Sequence, residues 1–139
     1  MRGQCHCGAI RAELVSARSP AELQVRSCQC SFCVRHGAMT VSDPQGRAKL
    51  TVDGRTLATY RFATGSGEIL LCGRCGVYAG MILRDAGRLW AVLNVRGLAV
   101  PEFARRTGEP VVHDGETAQE RIRRRKSRWT PAEITYVER

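Results

Sequence analysis

Residues 49–62 read Lys49-Leu50-Thr51-Val52-Asp53-Gly54-Arg55-Thr56-Leu57-Ala58-Thr59-Tyr60-Arg61-Phe62. Tyr60 and Phe62 share one face and Arg61 takes the other, the two-residue period of a half-buried strand. Between the two apolar runs stands Asp53-Gly54, a dipeptide that favours a tight primed turn because glycine tolerates positive φ. The stretch therefore predicts two short strands joined as a hairpin.

The same punctuation recurs on both sides. Short strands are expected at Ala9–Leu14, Leu23–Ser27, Ala38–Val41, Ala48–Val52, Leu57–Phe62, Glu68–Cys72, Val77–Leu83 and Leu89–Val95, with Asp85-Ala86-Gly87 a second turn before Arg88-Leu89-Trp90. Many short strands at regular spacing argue for a mainly β, sandwich-like fold of antiparallel strands. Trp90 and Tyr60 are expected in its core. From Gly115 to Arg128 the composition turns helical, with Ala118, Ile122 and Trp129 as an apolar edge, and Thr130-Pro131 should stop that helix. We expect it to be short and mostly solvated.

A chain of 139 residues suits one domain. Residues 1–112 are expected to form it, with 113–139 a basic extension that is either part of it or a solvated tail. No apolar run is long enough to span a bilayer and no leader-like apolar region precedes Cys5, so the expected location is the cytoplasm, without membrane partners. The formal charge is +9, but residues 121–139 hold seven basic side chains (Arg121, Arg123, Arg124, Arg125, Lys126, Arg128 and Arg139) against Glu133 and Glu138. A nucleic-acid reading would rest mostly on that segment, which lacks the interleaved aromatics of a single-strand binder, and nucleic acid is not the expected partner.

Seven cysteines fall in three groups, Cys5/Cys7, Cys28/Cys30/Cys33 and Cys72/Cys75. In a reducing compartment, close pairs and an odd count point to metal ligands and not to disulfides. Glycine follows the second cysteine in both Cys5-His6-Cys7-Gly8 and Cys72-Gly73-Arg74-Cys75-Gly76, where the backbone must bend so that N–H groups face sulfur. Two such half-sites complete a tetrahedral shell for a structural zinc, although spacing alone leaves other combinations open. The remaining group has three sulfurs and no fourth cysteine, the arrangement of a zinc with an exchangeable position, unless His6, His36 or His113 closes it. Zinc with three thiolates is a weak Lewis acid, better suited to holding an incoming thiol as thiolate than to making hydroxide. The absence of an H-x-E motif argues against a deaminase.

The pattern Gly3-x-Cys5-x-Cys7-Gly8-Ala9-Ile10, Cys28-x-Cys30-x-x-Cys33, Cys72-x-x-Cys75-Gly76 and Asn94-Val95-Arg96 resembles the glutathione-dependent formaldehyde-activating enzyme, or GFA domain, family, which is related to centromere protein V. That resemblance implies a zinc-bearing β fold, a structural ion on Cys5, Cys7, Cys72 and Cys75, and a second ion on Cys28, Cys30 and Cys33 as the catalytic group. It also implies a carbon-sulfur lyase that adds glutathione to formaldehyde, or a related small thiol to a small aldehyde. Two departures, Leu71 before the C-x-x-C and Val34 after Cys33, bear on substrate identity and leave the cysteines untouched.

Glutathione carries two carboxylates, so Arg35, Arg61 and Arg96 are candidate contacts, each weighed against an ordinary solvated arginine. Asn94 is a candidate orienting residue or a turn asparagine, and Thr64-Gly65-Ser66-Gly67 a candidate backbone cradle or a plain loop. A homodimer is compatible with the sequence. The alternative reading is a non-catalytic zinc module that binds nucleic acid or protein through its basic tail.

Overall fold

The computed structural model describes residues 1–138; Arg139, counted above with the basic tail, lies outside the described residues. In chain order the elements are β1 (Arg2–Gln4), β2 (Ile10–Val15), β3 (Arg26–Cys28), α1 (Ser31–His36), β4 (Thr40–Val41), β5 (Arg47–Asp53), β6 (Leu57–Tyr60), β7 (Glu68–Cys72), β8 (Tyr78–Asp85), β9 (Arg88–Asn94), β10 (Glu109–Val111), α2 (Ala118–Arg128) and β11 (Thr130–Val137). The fold is mainly β, as expected. Among the described residues no helix is long and apolar enough to cross a membrane.

The strands form one curled sheet with two halves. One half runs β1-β2-β5-β11; the other runs β6-β7-β8-β9 and continues through β4 and β3 to β10. β11 joins them, because Thr130 and Pro131 lie antiparallel to Ala91 and Trp90 of β9 while Ala132–Val137 run parallel to Ala48–Asp53 of β5. Alternation explains the first half: in β5 the side chains of Ala48, Leu50 and Val52 turn inward and those of Arg47 and Lys49 outward. Burying each larger aliphatic stabilises the fold by about 1.5–3 kcal/mol. β8 is buried on both faces from Tyr78 to Leu83, as a strand with a core cluster on each side must be. One cluster gathers Ile10, Leu50, Val52, Leu70 and Ile82; the other gathers Ile69, Tyr78, Leu83, Trp90 and Trp129.

Several expectations need correction. Asp53-Gly54 does turn the chain, with Thr56 N–H donating to Asp53 O at 3.1 Å, but β5 and β6 are not a hairpin. Both edges of β5 are taken by β2 and β11, so β6 passes on to pair with β7. The turn at Asp85-Ala86-Gly87 does make a hairpin, with positive φ at Ala86 and Gly87. Not all pairing is antiparallel: β11 with β5 and β10 with β3 are parallel. The expected strand Leu23–Ser27 is reduced to Arg26–Cys28, after a short 3₁₀ turn at Pro20–Glu22.

α2 ends before Thr130-Pro131 and is mostly solvated, as anticipated, but one of its faces is covered. Arg125 is buried and Arg121 and Arg124 are half-buried, whereas Arg123, Lys126 and Arg128 stay exposed. Residues 130–137, within the expected C-terminal extension, form a strand hydrogen-bonded between β5 and β9. Trp90 is buried as expected; Tyr60 is 48 % exposed and stacks on Phe32 and Phe62.

Candidate metal centre and adjoining cavity

Cys5 and Cys7 sit in the turn from β1 to β2, and Cys72 and Cys75 at the turn from β7 to β8. Each turn is closed by the same ladder, Cys5 N–H to Ile10 O and Cys72 N–H to Val77 O, both at 2.9 Å. Gly8 and Gly76 adopt φ of 82° and 80°, the left-handed bend that a side chain would oppose. In that bend Ile10 N–H donates to Cys5 Sγ at 3.2 Å and Cys75 N–H to Cys72 Sγ at 3.4 Å. Cys5 Sγ lies 3.8 Å from Cys7 Sγ, which lies 3.5 Å from Cys72 Sγ. A zinc–sulfur bond of about 2.3 Å gives a tetrahedron with edges of about 3.8 Å, so these thiols fit a tetrahedral ion of that size.

The second group is built differently. Cys28 ends β3, Cys30 is the N-cap of α1, and Cys33 lies in its first turn; Cys33 N–H donates to Cys30 Sγ at 3.3 Å. Gly37, with φ of 57°, closes the helix after one and a half turns. The three sulfurs also converge within 4.8 Å of one another, and among the described residues no histidine nitrogen joins either group. His36, three residues beyond Cys33, is exposed and lies tilted against Phe32 with ring centroids 4.6 Å apart; His6 is exposed too. Both groups could hold metal ions, and soft thiolate donors are what zinc favours.

The Cys28/Cys30/Cys33 group opens into a cavity walled by Phe62, Tyr78, Met81, Val92 and Trp129 on its apolar side and by Arg26, His113, Arg121, Arg124 and Arg125 on its polar side. The hydrogen bond from the Cys33 thiol draws Cys28 down to about 5 against the opposing effect of burial, with the Arg124 charge adding to it; the same pairing, with burial, pushes Cys33 up. Burial raises the Tyr78 phenol, and Cys33 beside it raises it further.

These cysteine positions coincide with a known pattern. The family model described as glutathione-dependent formaldehyde-activating enzyme matches residues 1–114. The chain belongs to the glutathione-dependent formaldehyde-activating enzyme family. A crystal structure of a Rhodobacter sphaeroides protein is similar, at 28 % identity and a TM-score of 0.56 over 81 % of this chain and 100 % of that one. The family match stops at residue 114, so α2, whose Arg121, Arg124 and Arg125 line the cavity, lies outside it.

The arginines put forward from the sequence do not line the cavity. Arg35 is exposed on α1, Arg61 pairs with Glu68 at 2.7 Å, and Arg96 lies exposed beside Gly37. Asn94 is buried, accepting from Met39 N–H at 3.1 Å and donating to Tyr78 O at 2.8 Å, so both ends of its amide are engaged in the scaffold. From the Thr64–Gly67 loop, Ser66 Oγ accepts from Arg125 Nη1 at 3.3 Å.

The cations that do face the cavity were missed. Arg121, Arg124 and Arg125 stand at i, i+3 and i+4, one face of a helix, and that spacing was the available signal. Glu116 holds two of them, bonding Arg121 Nε at 3.3 Å and Arg124 Nε and Nη2 at 2.8 and 3.0 Å. Arg124's hydrogen bonds take the Glu116 carboxyl down to about 2, with Arg121 contributing, although burial opposes the shift. Arg125 lies over the Trp129 ring, 4.8 Å from its centroid, and its Nε is buried with no hydrogen-bond partner among the described residues. Burial, then the charges of Arg124 and Arg121, bring Arg125 down to about 10. His113 is lowered by burial and by Arg124.

Proposed function

We propose that this protein binds two zinc ions and uses the Cys28/Cys30/Cys33 site to bind a small thiol, glutathione or a relative, for addition to formaldehyde or another small aldehyde. The observation that carries this reading is the convergence of three thiols, without a fourth protein ligand among the described residues, on a cavity open to a ligand. Zinc bound there would supply a place where a thiol is kept as thiolate at neutral pH.

The chain's own residues do the rest. Phe62, Met81, Val92 and Trp129 exclude water from the reacting groups, and Arg124 favours negative charge beside Cys28. The cationic wall receives the anionic parts of a substrate, and holding thiol and carbonyl together lowers the entropic part of the barrier. In balanced form a carbon–sulfur bond forms, the carbonyl π bond opens, and the thiol proton ends on the carbonyl oxygen. The reverse lyase step breaks that bond.

The basic run gives little support to nucleic-acid binding, since three of its arginines turn toward the cavity or pair with Glu116. X-ray absorption at the zinc edge, without ligand, with glutathione and with S-methylglutathione, tests the proposal. We expect glutathione alone to add sulfur to the second site, and Cys30→Ser to leave one ion bound in place of two. An unchanged shell in all three samples would overturn the thiol-binding role.

A further inference from the structure

Arg125 is the least expected side chain in the cavity. It is 9 % exposed, its Nε meets no acceptor, and among the described residues neither it nor Arg26 is in an ion pair, Glu116 being engaged by Arg121 and Arg124. A buried guanidinium without a carboxylate is costly, because its planar fork of donors is built for two oxygens. Four arginines line the cavity, and among the described residues only Asp114 and Glu116 stand near as counter-charges. An ion held by three thiolates would add one negative charge, which still leaves one positive charge uncompensated. The cavity holds about 100 Å³, below the roughly 300–1,000 Å³ of sites that take in a whole drug-sized ligand. It suits the end of a ligand.

We propose that Arg125, with Arg26 and Arg124 lining the same cavity, forms a carboxylate subsite beside the Cys28/Cys30/Cys33 group, so that the cavity selects a substrate bearing a carboxylate close to its reacting atom. The subsite is supplied mainly by α2, outside the family match, and is therefore a specificity determinant of this chain beyond the cysteine pattern. The carboxylate belongs either to the thiol or to the carbonyl partner. Only the thiol alternative rests on the function proposed above.

Calorimetry on the metal-loaded protein separates these sources. One pair of probes is 3-mercaptopropionate against the neutral 2-mercaptoethanol, the other glyoxylate against the neutral glycolaldehyde. The acidic member of at least one pair should bind about tenfold or more tighter, the effect of a charge-assisted hydrogen bond. Arg125→Met, which keeps the stem over Trp129, should erase that preference and leave the neutral probes unchanged. Its melting temperature without ligand should hold or rise, as when an apolar side chain replaces an unpaired buried charge. Arg125→Lys, which keeps charge but loses the fork, should retain part of the preference, and serves alone if Arg125→Met does not fold. A preference in the thiol pair assigns the carboxylate to the thiol; one confined to the second pair assigns it to the carbonyl partner.

No preference in the wild type, or a preference that Arg125→Met leaves in place, overturns the subsite, as does one that Arg125→Lys leaves undiminished where Arg125→Met does not fold. Equal binding of both thiols would then leave the proposed function standing. Conversely, an Arg125-dependent glyoxylate preference without any thiol binding would sustain the subsite and remove the thiol reading.

Discussion

Cys72→Ser tests whether the first cysteine group clasps the two halves of the sheet. Cys72 is 1 % exposed at the end of β7, and its sulfur lies 3.5 Å from Cys7 in the β1–β2 turn, 65 residues earlier in the chain. A cross-link closing a loop of that length removes about 4 kcal/mol of conformational freedom from the unfolded chain. A serine hydroxyl is a poor donor to a soft-ligand ion, so the substitution should open the clasp. Set against the usual net stability of about 5–15 kcal/mol, a loss near 4 kcal/mol should lower the melting temperature by roughly 10 °C or more. Urea denaturation followed by tryptophan fluorescence, with metal content by mass spectrometry on the same sample, measures both halves of the argument. Cys30→Ser is the control: its group spans six residues and closes no long loop, so the midpoint should move far less although an ion is lost. A Cys72→Ser protein with an unchanged midpoint and two bound ions would refute the clasp.

Asn94→Ala should destabilise the fold by about 2–4 kcal/mol, because Met39 N–H and Tyr78 O are then buried without partners; a urea midpoint shift equivalent to less than about 0.5 kcal/mol, the usual range of a surface change, would show that water replaces the amide. Glu116 is held near 2 against an ordinary 4.5, so its bonds to Arg121 and Arg124 stabilise the native state above about pH 4.5 and are lost as pH falls toward about 2. Wild type should therefore lose more stability through that window than Glu116→Gln, with Asp114 and His113 present in both proteins, and parallel pH profiles would contradict this.

How much could be read in advance differs from element to element. β2, β5, β7, β8 and β9 are legible because their side chains alternate or run apolar between turn residues, and Ala86-Gly87 imposes its hairpin by a local backbone preference. α1 is not, since six residues carry too little periodicity; its only marks are Cys30 as N-cap and Gly37 at the end. β11 is hidden as well. It opens with Thr130-Pro131, a helix-stopping pair, and has few large apolar residues, because Thr135, Tyr136 and Glu133 face outward.

The metal-binding groups depend on sulfur chemistry and on glycine bends a few residues long, so the sequence alone determined which cysteines belong together within each turn and that one group would lack a fourth cysteine; that no histidine among the described residues joins it was decided by the tertiary structure. Which two turns meet, and which arginines serve the cavity, depends on contacts between residues distant in the chain. β11, lying parallel to β5 and bending onto β9, sets α2 over the second cysteine group and turns Arg121, Arg124 and Arg125 inward. Composition could show only a basic run, because the direction a helix face takes is decided by what it packs against.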